Sequence, residues 1–332
     1  MSNTFRTTFP IDQSTKKYAY THKSIWMGSC FTENLGNYLQ NHCFDTIINP
    51  FGILYNPISV ASSLSQIQQN YKYTLRDLQH ENGIYFSYDH HGRFSNPDPD
   101  ILLNNINESI KQAHESLPNT DFLFITLGSA YVFEKIDTEE IVANCHKMPG
   151  KFFQRRLLSL SEIIFSLSDC IASLLEQNPD LNIVFTISPI RHWRDGAINN
   201  QRSKALLNVA IHQLVEMFEN VTYFPAYEIL MDDLRDYRFY NDDMLHPSSV
   251  AIDYIRQKFI DAFLDDQNTA ILNDIHKLHK AKSHKLEFPL SQASMNFIQQ
   301  QIDHIHVMKI NPLYPDISPF ENYFKELLSR EI

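Results

Sequence analysis

Five short segments limit what this chain can fold into: Ser24 to Met27, Asp45 to Ile48, Asp121 to Leu127, Asn182 to Ile187 and Val221 to Phe224. Each is apolar, rich in β-branched or aromatic residues, and ends in small or turn-forming residues, as a buried strand does. Amphipathic helical patterns lie between them, over Thr32 to Gln40, Ile58 to Gln69, Leu157 to Glu176 and Asn200 to Phe218. Strand alternating with helix predicts an α/β fold, with a mostly parallel five-stranded sheet covered by helices on both faces. Ligands of such sheets bind beyond the carboxyl ends of the strands. The segments to inspect are therefore "GSC", "NPFG", "GSAY" and "SPIRHW", which follow four of the five strands.

The alternation is interrupted over about residues 75–118. There "NGIYFSYDHHGRFSNPDPD" reads as an inserted hairpin and loop ahead of a helix from Asp100 to Ser116. The principal domain is expected to span residues 1–265. Residues 266–332 read as a C-terminal helical appendage, broken by "EFPLS" and "NPLYPDISP".

With 43% hydrophobic and 20% charged residues, the 332-residue chain has ample material for a core. Its net charge of −11 argues against nucleic acid as a partner, since phosphate binding needs a basic face. The basic run "HKLHKAKSHK", residues 276–285, reads as a solvated helix face. The start, "MSNTFRTTFPIDQSTKK", lacks the apolar core of a signal peptide, and no run reaches the ~18 apolar residues of a membrane span. A cytoplasmic protein with no membrane partner is the expectation. Cys30, Cys43, Cys145 and Cys170 have no C-x-x-C spacing and are expected to be reduced thiols. No H-E-x-x-H or related spacing calls for a metal, and no motif calls for a cofactor.

Two motifs carry chemistry. Ile25 to Met27 runs through Gly28-Ser29-Cys30 into a helical pattern, which leaves Ser29 at a helix N-terminus. Free backbone N–H groups and the helix dipole favour negative charge there, so Ser29 is either a helix cap or a nucleophile. In "YNDDMLHPSS", Asp243 and His246 stand three residues apart ahead of a helix from Ser249. A Ser nucleophile needs a base to take its proton, and that imidazole needs a carboxylate to hold its tautomer.

Together "MGSCFTENLG", "NPFGILYNP", "TLGSAYVFE", "NCHKMPG", "SPIRHWRDGAINNQRSKA" and "DYRFYNDDMLHPSS" resemble the bacterial GSCFA-domain family, related to the SGNH/GDSL esterase superfamily. The resemblance covers about residues 5–265. It implies a flavodoxin-like three-layer α/β/α fold with Ser29 as nucleophile, His246 as base and Asp243 as its partner. It further implies an oxyanion hole built on Ser29 and Gly52, in which Asn144 replaces an Asn of the superfamily's third block. In this chain that block reads Gly128-Ser129-Ala130-Tyr131.

Ser129, His146, Arg191 and His192 are further candidates for substrate contact at the strand ends, Arg191 through the planar fork of its guanidinium. Cys30 is expected to point away from the site and be buried, and His90-His91 to face solvent. The implied activity is hydrolysis of an ester, such as an acylated carbohydrate or small metabolite. The alternatives are a non-catalytic ligand-binding protein on the same fold and an O-acyltransferase.

Overall fold

The computed structural model describes residues 7–288 and 291–330. By their contacts the described residues group into two units. The first takes in Lys23–Asn37 and Thr46–Phe259, and the second Gln13–His22, Tyr38–Asp45 and the chain from Ile260 onward.

The first unit is built on strands β1 (Lys23–Gly28), β2 (Asp45–Ile48), β5 (Phe122–Leu127), β9 (Asn182–Ile187) and β10 (Val221–Phe224), in the order β10-β9-β5-β1-β2. The pairings β1–β5, β5–β9 and β9–β10 are parallel. All five expected strands are present. Alternate residues of β5 point to opposite faces, as the two-residue period of a strand requires. Leu123, Ile125 and Leu127 join one apolar cluster with Ile25, Met27, Ile183 and Phe185. That cluster is closed by helices α2 (Pro57–Gln68), α3 (Pro99–Ser116), α4 (Leu160–Gln177) and α5 (Gly196–Met217).

On the opposite face Trp26 stacks on Phe124 at 3.9 Å between ring centres. Phe259 of α7 (Ser249–Phe263) meets both rings. Helix α1 (Cys30–Asn41) approaches β2 closely, so that a Cβ at Gly36 would lie 3.1 Å from Ile48. These layers form the expected three-layer α/β/α sandwich.

The insertion contains the expected hairpin, β3 (Gln79–Glu81) and β4 (Ile84–Phe86), turning at Asn82-Gly83. Both turn residues have positive φ, 51° and 78°, as the tightest hairpin turn demands. A second sheet lies outside the sequence expectations. It is antiparallel, ordered β7-β6-β8, with β6 Tyr131–Lys135, β7 Ile141–Val142 and β8 Phe153–Leu157. It moves the start of α4 from the expected Leu157 to Leu160, where Ser159 and Glu162 form a capping box. After β10 a short helix α6 (Ala226–Glu228) leads into a wide turn over Ile229–Asp233.

In the second unit, α8 (Asp266–Ser283), α9 (Gln292–Ile310) and α10 (Ser318–Arg330) are amphipathic helices. Their buried faces include Ile271 and Ile275, Ile298 and Ile302, and Phe320 and Phe324. The expected break at "NPLYPDISP" separates α9 from α10, whereas Pro289 and Leu290 of "EFPLS" lie outside the described residues, as do residues 1–6. Among the described residues no helix is long and apolar enough to cross a membrane.

One backbone crossing fixes the end of β1. Gly28 has φ +131°, and a Cβ there would meet the Thr126 carbonyl oxygen at 2.1 Å. A side chain adds both backbone strain and a collision with a strand that cannot shift. Gly28→Ala is expected to lower stability by more than about 2 kcal/mol in urea denaturation. A loss within about 0.5 kcal/mol would show that the crossing can relax.

Candidate active site

The order β10-β9-β5-β1-β2 reverses direction between β1 and β5, and the crevice outside such a reversal is where open α/β sheets hold ligands. A cavity of about 730 Å³ lies there. Cys30 lines it after β1, Ser129 after β5, and Ile190 to Arg194 after β9. Tyr55, Asn144, Arg155 and His246 complete the parts that bear on chemistry.

The turn after β1 places Ser29 and Cys30 the other way round from the expectation. Ser29 is 0% exposed and is absent from the cavity wall. Its Oγ accepts the Phe31 N–H at 3.3 Å and its carbonyl accepts the Thr32 N–H at 2.9 Å, so it occupies the cap position of α1. Its own N–H donates to the Thr126 carbonyl at 3.2 Å, which commits the donor expected for the oxyanion hole. Cys30 is the first helical residue. It is half-buried rather than enclosed, and it faces the cavity. Burial raises the Cys30 thiol above its ordinary value, opposed by the backbone N–H groups of Cys30 and Phe31 and by the Lys204 ammonium. A thiol held protonated in this way needs a base before it can attack.

Asp243 and His246 pair as expected. His246 Nδ1 lies 2.5 Å from Asp243 Oδ2, while Asp243 Oδ1 accepts the backbone N–H groups of Leu245 and His246, each at 2.9 Å. Those two N–H groups, with the imidazole, hold the Asp243 carboxyl down at about 2. Met244, between them, has φ +58°, which folds the segment so that Asp243 caps its own turn. The His246 ring is about half exposed and lines the cavity that Cys30 lines.

The remaining candidates divide. Gly52 donates its N–H to the Asn49 carbonyl at 2.7 Å, has φ +79°, and would drive a Cβ to 2.3 Å from His91. It is a turn glycine, and its N–H is not directed into the cavity. Asn144 lines the cavity, and its Oδ1 accepts the His146 N–H at 2.9 Å, which leaves its amide NH₂ as the donor. Ser129 lines the cavity, and its Oγ accepts the Tyr131 N–H at 3.0 Å and lies 3.4 Å from Ser203 Oγ.

His146 holds Ser87 O at 2.8 Å and Ser95 Oγ at 3.3 Å and stacks on Phe86, so both its ring nitrogens are engaged in structure. His192 lines the cavity, and among the described residues its Nε2 has no hydrogen-bond partner. Burial, followed by the Lys204 and Arg155 charges, holds it at about 4. Arg191 donates to Asn200 Oδ1 at 3.2 Å and lies over Trp193. His90 does not face solvent: it is 0% exposed, stacked on Phe51 at 4.4 Å, and burial holds it neutral at about 3. His91 beside it lines the cavity.

One residue at the site went unread in the sequence. Lys204 is 1% exposed on α5, donates to the Ser188 carbonyl at 2.7 Å, and lies over the Tyr227 ring. Its signal was its spacing, because it falls on the helical face of Leu207, Ile211 and Leu214. Burial holds its ammonium down to about 7, while the Cys30 thiol works in the opposite direction.

Five parallel strands between two helical layers, with a cavity at the strand ends, define an α/β/α protein of the doubly wound class. The chain belongs to the GSCFA family, whose model matches residues 23–259. Among solved structures it is similar to an acetyl xylan esterase (Est2A) from the rumen bacterium Butyrivibrio proteoclasticus. The two share 12% identity with a TM-score of 0.35, over 74% of this chain and 64% of that one. Comparison with curated proteins finds no match.

The Lys204 environment sets a pH dependence. An unfolded lysine titrates near about 10.4. Between pH 7 and that value the unfolded chain binds a proton that folded Lys204 has lost, so this group makes stability rise with pH across the window. Relative to Lys204→Met, the wild type is expected to gain roughly 2 kcal/mol or more from pH 7 to pH 10 in urea denaturation. A difference that stays flat would place the lysine in a solvated environment.

Proposed function

We propose that the protein is an acyl-ester hydrolase that works through a covalent thioester on Cys30, with His246 as general base and Asp243 orienting it. The observation that carries this reading is that a helix-terminal thiol and the imidazole of His246, paired with Asp243, line one cavity at the strand ends. Cys30 takes the nucleophile's role because Ser29 is committed, through both its Oγ and its N–H, to the helix cap and to β5.

The Cys30 Sγ attacks the ester carbonyl carbon while His246 takes the thiol proton. Asp243 holds the tautomer that leaves Nε2 free to receive that proton and stabilises the imidazolium that results. The negative charge on the tetrahedral oxygen faces the N-terminus of α1, where the Cys30 N–H and the helix dipole favour it, and the Asn144 amide is the second donor. Collapse expels the alcohol, which takes the proton back from His246. Water then attacks the thioester with His246 again as base, releasing the carboxylic acid and restoring the thiol. Replacing water by an acceptor hydroxyl turns the second half into acyl transfer.

Hydrolysis of p-nitrophenyl acetate tests the assignment. Cys30→Ala and His246→Asn are each expected to lower kcat/KM by about 10³-fold or more, since members of such a unit fail together. Ser29→Ala is expected to stay within about tenfold of wild type while losing about 0.5–2 kcal/mol of stability as a lost cap. An inactive Ser29→Ala beside an active Cys30→Ala would return the nucleophile to Ser29.

A further inference from the structure

The chain carries a net charge of −11, yet its strand-end cavity has the opposite sign. Lys147, Arg155, Arg191 and Arg194 line it, and among the described residues no Asp or Glu does. The four cations are not equally available. Arg155 is closed off by Asp195, whose two carboxylate oxygens accept its Nε and Nη2 at 2.6 Å each. Arg191 and Arg194 have no carboxylate partner among the described residues. Each lies over an aromatic face instead, Arg191 over Trp193 at 5.4 Å and Arg194 over Phe133 at 4.8 Å, with the Arg191 Nε given to Asn200 Oδ1 and its two terminal nitrogens left over. Stacking fixes the plane of a guanidinium and leaves its edge N–H groups to donate.

Both arginines lie beside Trp193 in the loop after β9; His192 of the same loop lines the cavity, while its Nε2 is buried against Gly128 with no partner among the described residues. Neighbouring Arg155 shows what this cluster accommodates: a planar carboxylate taken by two parallel hydrogen bonds.

We propose that the cavity selects acyl esters bearing a carboxylate, which Arg191 and Arg194 receive while the ester carbonyl lies at Cys30. The proposal rests on the catalytic reading for the position of the ester; the carboxylate site itself requires only the cavity. A neutral ester leaves two cationic side chains without a counter-charge, so discrimination comes from the guanidinium groups and not from the thiol.

Two measurements test it, and neither needs turnover. The first alkylates Cys30 with iodoacetate and with iodoacetamide, which differ in carrying a carboxylate, and follows the Cys30 peptide by mass. The ratio of the two rates is expected to exceed that of glutathione by about tenfold or more, and to fall to within about twofold of it in Arg191→Gln/Arg194→Gln. The second measures the thermal midpoint of Cys30→Ala with added succinate or inorganic phosphate. Succinate is expected to raise it by several degrees, phosphate by less, and neither in the double arginine variant.

A glutathione-like ratio overturns the proposal, as does stabilisation by phosphate beyond that by succinate. If neither reagent reaches Cys30, the catalytic reading fails and the succinate shift alone decides the carboxylate site. If succinate binds but neither p-nitrophenyl acetate nor its carboxylate-bearing counterpart, mono-p-nitrophenyl succinate, is turned over, the carboxylate site stands without the chemistry.

Discussion

Ser29 donates its backbone N–H to the carbonyl of Thr126 on the neighbouring strand, and the approach that permits this leaves no room for a side chain at Gly28. Around the same glycine, the Gly28 N–H donates to Asn49 Oδ1 at 2.8 Å, and the Gly28 carbonyl accepts the Leu54 N–H at 3.0 Å. The end of β1 is thereby tied to β5, to the segment after β2 and to the approach to α2. With these bonds in place α1 can begin in only one rotational phase. That phase turns Ser29 into the protein and Cys30 toward the cavity.

A second set of bonds holds the loops that face Cys30. Ser203 on α5 accepts the Ala130 N–H at 2.7 Å, and Lys204 beside it donates to Ser188, so one turn of this helix secures the chain leaving both β5 and β9. Burying an ammonium is costly, and here its partners are a carbonyl and an aromatic face rather than a carboxylate. Arg155 performs the equivalent task from the small sheet, clamping Asp195 at the start of α5. The site is therefore built from loops, each pinned by a polar side chain of a regular element.

Periodicity made the sheet and its helices legible, because a strand buried on both faces must be continuously apolar and a covering helix must show one apolar stripe. The small sheet escaped because its strands are short and each is covered on one side only: Val132 is buried while Tyr131 and Phe133 turn toward the cavity. At the site, the Asp243–His246 pair was readable because its partners are close in sequence. The choice between Ser29 and Cys30 was not. Successive residues of a helix differ by about 100° in direction, and that phase is set by contacts from Thr126, Asn49 and Leu54, all distant in sequence. His90 was misread for a related reason, since a His-His pair in a polar loop looks solvated until Phe51 and Tyr73 are brought against it.

The opposition between an acidic exterior and a cationic cavity also bears on how an anion reaches the site. At physiological ionic strength charges are screened beyond about 8 Å, so the surface repels an approaching carboxylate only within its last few layers of water. Inside, the walls exclude most counterions and the attraction is screened far less. Added salt therefore acts on arrival before it acts on residence: it lowers the outer barrier while the inner contact persists. In dilute buffer, the usual choice for strengthening charge recognition, an approaching anion meets the outer repulsion at its strongest.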